Sequence, residues 1–223
     1  MKLIDSPKKR LAWYSRNYFY AATIAVVLTN ILLYALLDYY WEGAYGNGHV
    51  SWGKSFDFER ILRCFLNNFS HSNLQHVLLN MLCFFVAGLY LERKTGSLGL
   101  LGLVLSVAIL QGCVCAAADG DMGFHGYSGV NYALYAYILI DYLFSLGNAR
   151  RNKTDLIFGG VVLALIYFAM CFNGGTSEVS FAVYPYDLLH NLGHGTGFFC
   201  GAIVALLIQI PMAAARRSAQ TQR

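Results

Sequence analysis

Residues 188–210 read LLHNLGHGTGFFCGAIVALLIQI and contain no Asp, Glu, Lys or Arg. The run is long enough to cross a bilayer, because a transmembrane helix needs about 20 consecutive apolar residues. Gly193, Gly197 and Gly201 recur at every fourth position and share one face of such a helix. Because a face of glycines allows another helix to approach closely, the stretch predicts a transmembrane helix packed tightly against a partner helix.

Five further apolar segments precede this one, at about 18–38, 74–91, 98–118, 128–146 and 155–173. The 223-residue chain is 57% hydrophobic and 13% charged, whereas soluble domains are about 45–50% apolar and roughly 25% charged. This composition excludes disorder, a collagen-like chain and a nucleic-acid-binding domain, and it argues against an ordinary soluble enzyme. We predict an all-α membrane protein with a six-helix core over 18–211, between tails at 1–17 and 212–223.

The Lys and Arg residues predict the orientation of this bundle. Thirteen of the 16 lie in the tails and in the second and fourth connections, which all belong on one side of a six-span protein. Basic residues favour the cytoplasmic side, so both termini are expected in the cytoplasm of a multi-pass protein, in the cell membrane. A buried helical core in a soluble protein would not produce this alternation. The long outer connection, about 39–73, is expected to contain short amphipathic helices.

Four polar residues on three spans reach a similar depth near the outer face: His76, Asn80, Ser128 and His194. Asp141 is expected where the fourth span nears the cytoplasmic interface, and Ser128 lies 13 residues before it, about 20 Å along a helix. Because the bilayer core is about 30 Å thick, Ser128 begins its span already submerged. Polar side chains inside a membrane are costly, and they mark candidate functional sites.

Ser128 and His194 are candidates for a nucleophile and its base, because a neutral imidazole can accept the proton of an attacking hydroxyl. Gly126 and Gly129 flank the serine and allow close approach of a substrate. A serine at this point is also compatible with a simple helix N-cap. The glycines of the last span and the small residues of the fourth provide a way to bring the two side chains together.

His76 and Asn80 lie four residues apart on one helix face, so both can donate hydrogen bonds to a single oxyanion. The alternative is that they join two helices. His190 and His194 have a metal-ligand spacing, but no acidic partner lies nearby in sequence, and we predict neither metal nor cofactor. The cysteines fall mostly in apolar runs without a C-x-x-C pair and are interpreted as small core residues.

The combination of motifs resembles the rhomboid family of intramembrane serine proteases over about 61–205. The similar segments are the histidine- and asparagine-containing stretch 71–81, the GYSG stretch 126–129 and the H-x-x-G-x-x-x-G run 194–201. Glu92, in the turn after the second span, also matches a family position and is assigned a structural role. Two features depart from the family pattern. Tyr127 stands where a small residue is usual, and the Trp-Arg dipeptide of the first loop is missing.

The resemblance implies a Ser-His dyad without a required aspartate, with Ser128 as nucleophile and His194 as general base. It also implies that the Ser128 backbone N–H, His76 and Asn80 bind the oxyanion. By resemblance, the fifth span and the loop 173–187 open to admit the substrate.

The expected function is therefore that of an intramembrane serine endopeptidase, which cleaves transmembrane proteins near the outer face of the lipid bilayer. A transmembrane helix that unwinds easily is the expected substrate, and no nucleic acid or metal is expected as a partner. An inactive relative that binds membrane proteins is the main alternative. A six-span transporter is a further one, but it would carry its polar residues at the bilayer midplane.

Overall fold

The structure is a computed structural model, and it describes residues 20–40, 58–71, 73–117, 126–146, 153–172 and 192–221. All regular elements within these ranges are helical, as the sequence predicts. They are α1 (Ala21–Tyr40), α2 (Phe58–Leu66), a 3-10 helix (Asn67–Phe69), α3 (Leu74–Ala117), α4 (Ser128–Leu146), α5 (Lys153–Phe172) and α6 (Leu192–Thr221).

Helix α3 consists of two arms that meet at Gly96. Gly96 has φ 77° and ψ 167°. This backbone conformation is non-helical, and residues other than glycine rarely adopt it. The first arm covers 74–95 and the second covers 97–117, close to the predicted spans 74–91 and 98–118. When the arms are counted separately, the described residues contain six long helical segments.

Helix α6 differs most from its predicted range. It begins at Leu192 and continues through Pro211 to Thr221, so much of the predicted tail 212–223 is helical. Proline removes one intrahelical hydrogen bond, but the helix persists on both sides of it. Helix α2 lies within the long connection 39–73, where a short helix was expected.

Helices α4 and α6 run in the same direction and are in close contact. A Cβ atom built on Gly197 would lie 2.0 Å from the carbonyl oxygen of Gly129. One built on Gly201 would lie 2.1 Å from the carbonyl oxygen of Ala133. Only glycine therefore permits this distance between the helices, which confirms the tight helix pair predicted from the spacing of the glycines.

Polar contacts define two ends of the bundle, which we call the serine end and the aspartate end. At the serine end, the first residue of α4, Ser128, meets His194 near the start of α6. At the aspartate end, Asp141 near the end of α4 accepts a hydrogen bond from Gln209 of α6. The first arm of α3 ends there too, since Lys94 pairs with Asp141.

Glu92 joins three helical segments at the aspartate end. Its carboxylate is 4% exposed and accepts hydrogen bonds from the backbone amides of Ala22 and Thr23, at 3.0 and 2.8 Å. The hydroxyls of Thr23 and Ser97 donate to it at 2.6 and 2.5 Å. These bonds fix the start of α1 against both arms of α3.

Two helical stretches in the described residues are long and apolar enough to cross a membrane, Leu74–Val114 and Gly193–Ala214. Two shorter apolar helices, Ala21–Leu36 and Leu156–Phe168, accompany them. Large apolar side chains such as Leu28, Leu105 and Leu207 are exposed, with 60%, 48% and 70% of their surface accessible. An apolar exterior of this kind is expected where lipid surrounds the helices.

Candidate active site

The hydroxyl of Ser128 and the imidazole of His194 form the central contact of the site. The distance from Ser128 Oγ to His194 Nε2 is 2.7 Å, a normal length for a hydrogen bond from a hydroxyl. Ser128 is 4% exposed. The contact is possible because Gly129 and Gly197 bring α4 and α6 together just beside it. A hydroxyl held against a ring nitrogen is the arrangement that general-base activation of a serine requires.

Tyr132 holds the plane of the His194 ring. The two rings stack with centroids 4.4 Å apart and planes 12° from parallel. Tyr132 is 2% exposed and lies one helical turn after Ser128, so the tyrosine and the serine face the same helix. Tyr132 was not identified from the sequence, although its i, i+4 spacing from Ser128 was a usable signal.

Gly126 lies beside the two predicted oxyanion donors. A Cβ atom built on it would lie 2.7 Å from His76 Cε1, 2.8 Å from His76 Nε2 and 3.3 Å from Asn80 Nδ2. Its φ of 97° is also a conformation that favours glycine. The structure therefore brings His76 and Asn80 against the segment that leads into Ser128, and leaves no room there for a side chain.

Asn131 sets the orientation of the Asn80 side chain. Its Nδ2 donates to the backbone oxygen of Asn80 at 2.9 Å and to the side-chain Oδ1 at 3.3 Å. Because Oδ1 accepts from Asn131, the Asn80 amide nitrogen is the atom that faces Gly126. Asn131 was not identified from the sequence, although it follows Ser128 by three residues on the buried face of α4.

The segment before Ser128 is anchored by residues that follow α2. The Gly126 N–H donates to the carbonyl oxygen of Asn67 at 2.9 Å, and the Tyr127 N–H donates to His71 Nε2 at 3.3 Å. His71 Nδ1 lies 3.3 Å from the carbonyl oxygen of Phe69. A neutral ring with its proton on Nδ1 satisfies both contacts. His71, noted only as part of a motif, therefore positions the loop next to the nucleophile candidate.

The Tyr127 ring points into the protein interior. It is 1% exposed, and its centroid lies 5.8 Å from that of Phe69 and 5.3 Å from that of Phe84. The large side chain in place of the usual small one thus extends an aromatic cluster between α3 and the 3-10 helix.

Gln111, near the end of the second arm of α3, was also missed. Its side chain is 0% exposed, and Nε2 donates to the carbonyl oxygen of Gly193 at 3.0 Å. The signal present in the sequence was an amide inside an apolar run, which is unusual in a membrane helix.

Two features discussed from the sequence lie outside the described residues. They are the loop 173–187 and His190. Cys83 is buried and free, in agreement with its interpretation as a small core residue.

Comparison with known proteins is consistent with this geometry. The Rhomboid domain family matches residues 59–210. Rhomboid protease GlpG of Salmonella typhimurium is 31% identical over 113 residues, which cover 48% of this chain and 41% of the relative. Rhomboid protease GlpG of Salmonella choleraesuis is 36% identical over 78 residues, or 35% of this chain and 28% of the relative. The chain thus matches less than half the length of these relatives.

The family match includes Ser128, His194, His76 and Asn80 and extends over more than half of the chain. The chain belongs to the rhomboid family. It is accordingly an integral membrane protein, with helices apolar enough to span a membrane.

Proposed function

We propose that this protein is an intramembrane serine endopeptidase that cleaves transmembrane proteins near the outer face of the bilayer. The observation that carries the proposal is the 2.7 Å contact between Ser128 Oγ and His194 Nε2, inside a rhomboid family bundle. The GlpG relatives are named rhomboid proteases, which supports the same reaction class.

Ser128 attacks the carbonyl carbon of the scissile amide while His194 Nε2 takes its proton. The resulting imidazolium then donates this proton to the leaving amine, and the C–N bond breaks to give an acyl-enzyme. A water molecule, deprotonated in turn by His194, hydrolyses the ester and restores the serine. The stacked Tyr132 ring supports both steps, because the imidazole must keep its orientation while it exchanges protons.

The negative charge that develops on the substrate carbonyl oxygen needs fixed donors. Asn80 Nδ2, His76 and the backbone N–H of Ser128 are the groups we assign to this role. Support comes from the positions of His76 and Asn80 around Gly126, and from the Asn131 bonds that orient the Asn80 amide. Such preorganised donors are worth most where water is scarce.

Six helical segments cross the membrane in this proposal, with the serine end outside and the aspartate end in the cytoplasm. Arg93 and Lys94 lie near the end of the first arm of α3, at the aspartate end of the bundle, and α5 begins at the same end with Lys153. The excess of basic residues at this end supports the orientation. Reporter fusions after Arg217 should read as cytoplasmic, and fusions within 39–57 should read as external. An external C-terminus would overturn this topology.

Labelling of the purified full-length protein with a fluorophosphonate tests the chemistry. We expect labelling of the wild-type protein and none of Ser128→Ala. Ser145→Ala is the matched control, because Ser145 is also buried on α4 but donates to the carbonyl oxygen of Asp141 at the opposite end. A folded wild-type protein that neither reacts nor cleaves a transmembrane substrate would favour the inactive, substrate-binding alternative.

A further inference from the structure

Gln111 lies between the two residues that adjoin the Ser-His pair. Its Nε2 donates to the carbonyl oxygen of Gly193, the residue just before His194, at 3.0 Å. On its other side, a Cβ atom built on Gly129, the residue just after Ser128, would lie 1.9 Å from the same Nε2. The amide of Gln111 is thus in direct contact with the backbone of both helices that carry the dyad.

The glycines on either side of the dyad leave room for such a support. Gly129 and Gly193 have no side chains of their own to fill the space beside the dyad. The Gln111 amide fills the space that a side chain at Gly129 would occupy, and it hydrogen-bonds to the first turn of α6. The positions of these two backbones determine where the hydroxyl and the imidazole lie.

We propose that Gln111 is a positioning residue that sets the distance between Ser128 Oγ and His194 Nε2. This inference rests on the proposed function and adds to it a specific third residue from the second arm of α3. Gln111 acts only through its neighbours Gly129 and Gly193.

The burial of Gln111 distinguishes this role from simple stabilisation. Its side chain is 0% exposed, and Oε1 has no hydrogen-bond partner within the described part of the chain. A buried acceptor without a partner destabilises a fold. Replacing the amide with an apolar group of similar size should therefore leave the melting temperature unchanged or raise it, while it disturbs the dyad.

Gln111→Met removes the donor and keeps the length of the side chain. We expect kcat for a transmembrane substrate, and the rate of fluorophosphonate labelling of Ser128, to fall by about 10- to 100-fold, the loss that a misplacement of about 1 Å produces. KM should stay unchanged, because Gln111 supports the reacting groups rather than the rest of the substrate. The melting temperature should not fall.

Gln209→Met is the matched control, because Gln209 is also a buried, hydrogen-bonded glutamine but bonds to Asp141 at the aspartate end. It should lower the melting temperature and leave kcat unchanged. The inference would be overturned if Gln111→Met kept the wild-type kcat. It would also be overturned if Gln111→Met lost kcat together with the same fall in melting temperature as Gln209→Met. A wild-type protein without labelling or cleavage would instead overturn the proposed function.

Gly129→Ala tests the same contact from the other side, because its methyl group must displace the Gln111 amide. We expect lower kcat for this variant, and non-additive effects when it is combined with Gln111→Met, since both changes act on one contact. If Gln111→Met does not fold, Gln111→Asn provides the comparison. That variant keeps an amide but is too short to reach Gly193, and it should lower kcat in the same way. Additive effects, or normal kcat in a folded Gln111→Asn, would contradict the proposal.

Discussion

Helices α4 and α6 meet through a polar pair at each end, and the two pairs differ in how fully they are bonded. At the serine end, His194 Nε2 lies 2.7 Å from Ser128 Oγ. At the aspartate end, Gln209 Nε2 lies 2.9 Å from Asp141 Oδ1. The 13 residues from Ser128 to Asp141 separate the two pairs by about 20 Å along α4.

The aspartate end is a closed cluster. While Gln209 donates to one carboxylate oxygen of Asp141, Lys94 forms an ion pair with the other, and the Tyr90 hydroxyl lies 3.5 Å from it. The Lys94 ammonium also lies 4.2 Å from the centre of the Tyr90 ring. A carboxylate bonded in this way stabilises the helices around it and has little capacity left to bind anything else.

At the serine end, the hydroxyl of Ser128 has one side-chain partner in the described part of the chain, His194 Nε2. Gly126 and Gly129 flank Ser128 in sequence, and the His76 ring and the Asn80 amide lie around Gly126. In the proposed function, the His76 ring and the Asn80 amide donate to the carbonyl oxygen of the substrate. One helix pair thus carries both the contact that we propose is reactive and a structural contact, and the two differ in how many bonds their polar groups make.

Removing either member of the dyad should have the largest effect. Ser128→Ala and His194→Ala should each lower kcat by roughly 10⁶-fold, as for the nucleophile or base of other serine proteases, and the double variant should be no worse. Cleavage of a model transmembrane substrate in detergent measures this, with circular dichroism as the control for folding. Normal proteolysis by folded Ser128→Ala would remove the distinction between the two ends.

Asn80→Ala should have the second-largest effect on kcat. Loss of one oxyanion donor typically lowers kcat by about 10²–10³, or roughly 2.7–4 kcal/mol of transition-state stabilisation. If Asn80 only joined two helices, its loss would instead lower stability by about 0.6 kcal/mol and barely change turnover. We expect a large fall in kcat with nearly unchanged KM and melting temperature. Unchanged kcat with a lower melting temperature would assign Asn80 to packing.

The sequence indicated a way for Ser128 and His194 to meet, and the resemblance to the family implied that they form a dyad. Counting residues along each span placed them at equal depth, and Gly197 and Gly201 identified the face of α6 that contacts α4. Both inferences use only helical periodicity and length, which are local properties of the chain.

The side-chain bonds around the dyad were beyond such reasoning. Gln111 reaches Gly193 across 82 positions, and Asn131 reaches Asn80 across 51. Such contacts depend on how each helix is rotated about its axis, which periodicity does not fix to within a hydrogen-bond length. The sequence placed Asp141 near an interface. It did not identify Lys94 as the partner of Asp141, for the same reason.

Asp141→Asn should lower the stability of the protein without changing catalysis, which would distinguish the role of the aspartate end from that of the serine end. The change removes the negative charge that pairs with Lys94, and hydrogen bonds to charged groups contribute about 1.5–3 kcal/mol. We expect a lower melting temperature and an unchanged kcat at temperatures where the variant is folded. Lys94→Met should behave alike, since it breaks the same pair. A fall in kcat without loss of stability would show that the aspartate end communicates with the dyad.

The smallest effect concerns α5. Phe158, near its start, lies against Tyr90 with ring centroids 5.8 Å apart, so α5 begins at the aspartate end. Phe168 lies ten residues further on, about 15 Å towards the serine end. Its side chain is 49% exposed. The resemblance to the family leads us to expect that the fifth span and the loop 173–187 open to admit the substrate, and movements of this kind often limit turnover.

Phe168→Ala should therefore make it easier for the substrate to enter past α5 and so raise kcat/KM. We expect an increase of less than tenfold, which corresponds to a barrier lowered by less than about 1.36 kcal/mol. Phe158→Ala is the matched control on the same helix. It removes an aromatic contact worth about 0.5–1.5 kcal/mol and should lower the melting temperature without faster cleavage. Phe172→Ala extends the test to the residue where α5 ends. Slower cleavage by folded Phe168→Ala, or equal acceleration by Phe158→Ala, would show that access to the dyad does not depend on the outer half of α5.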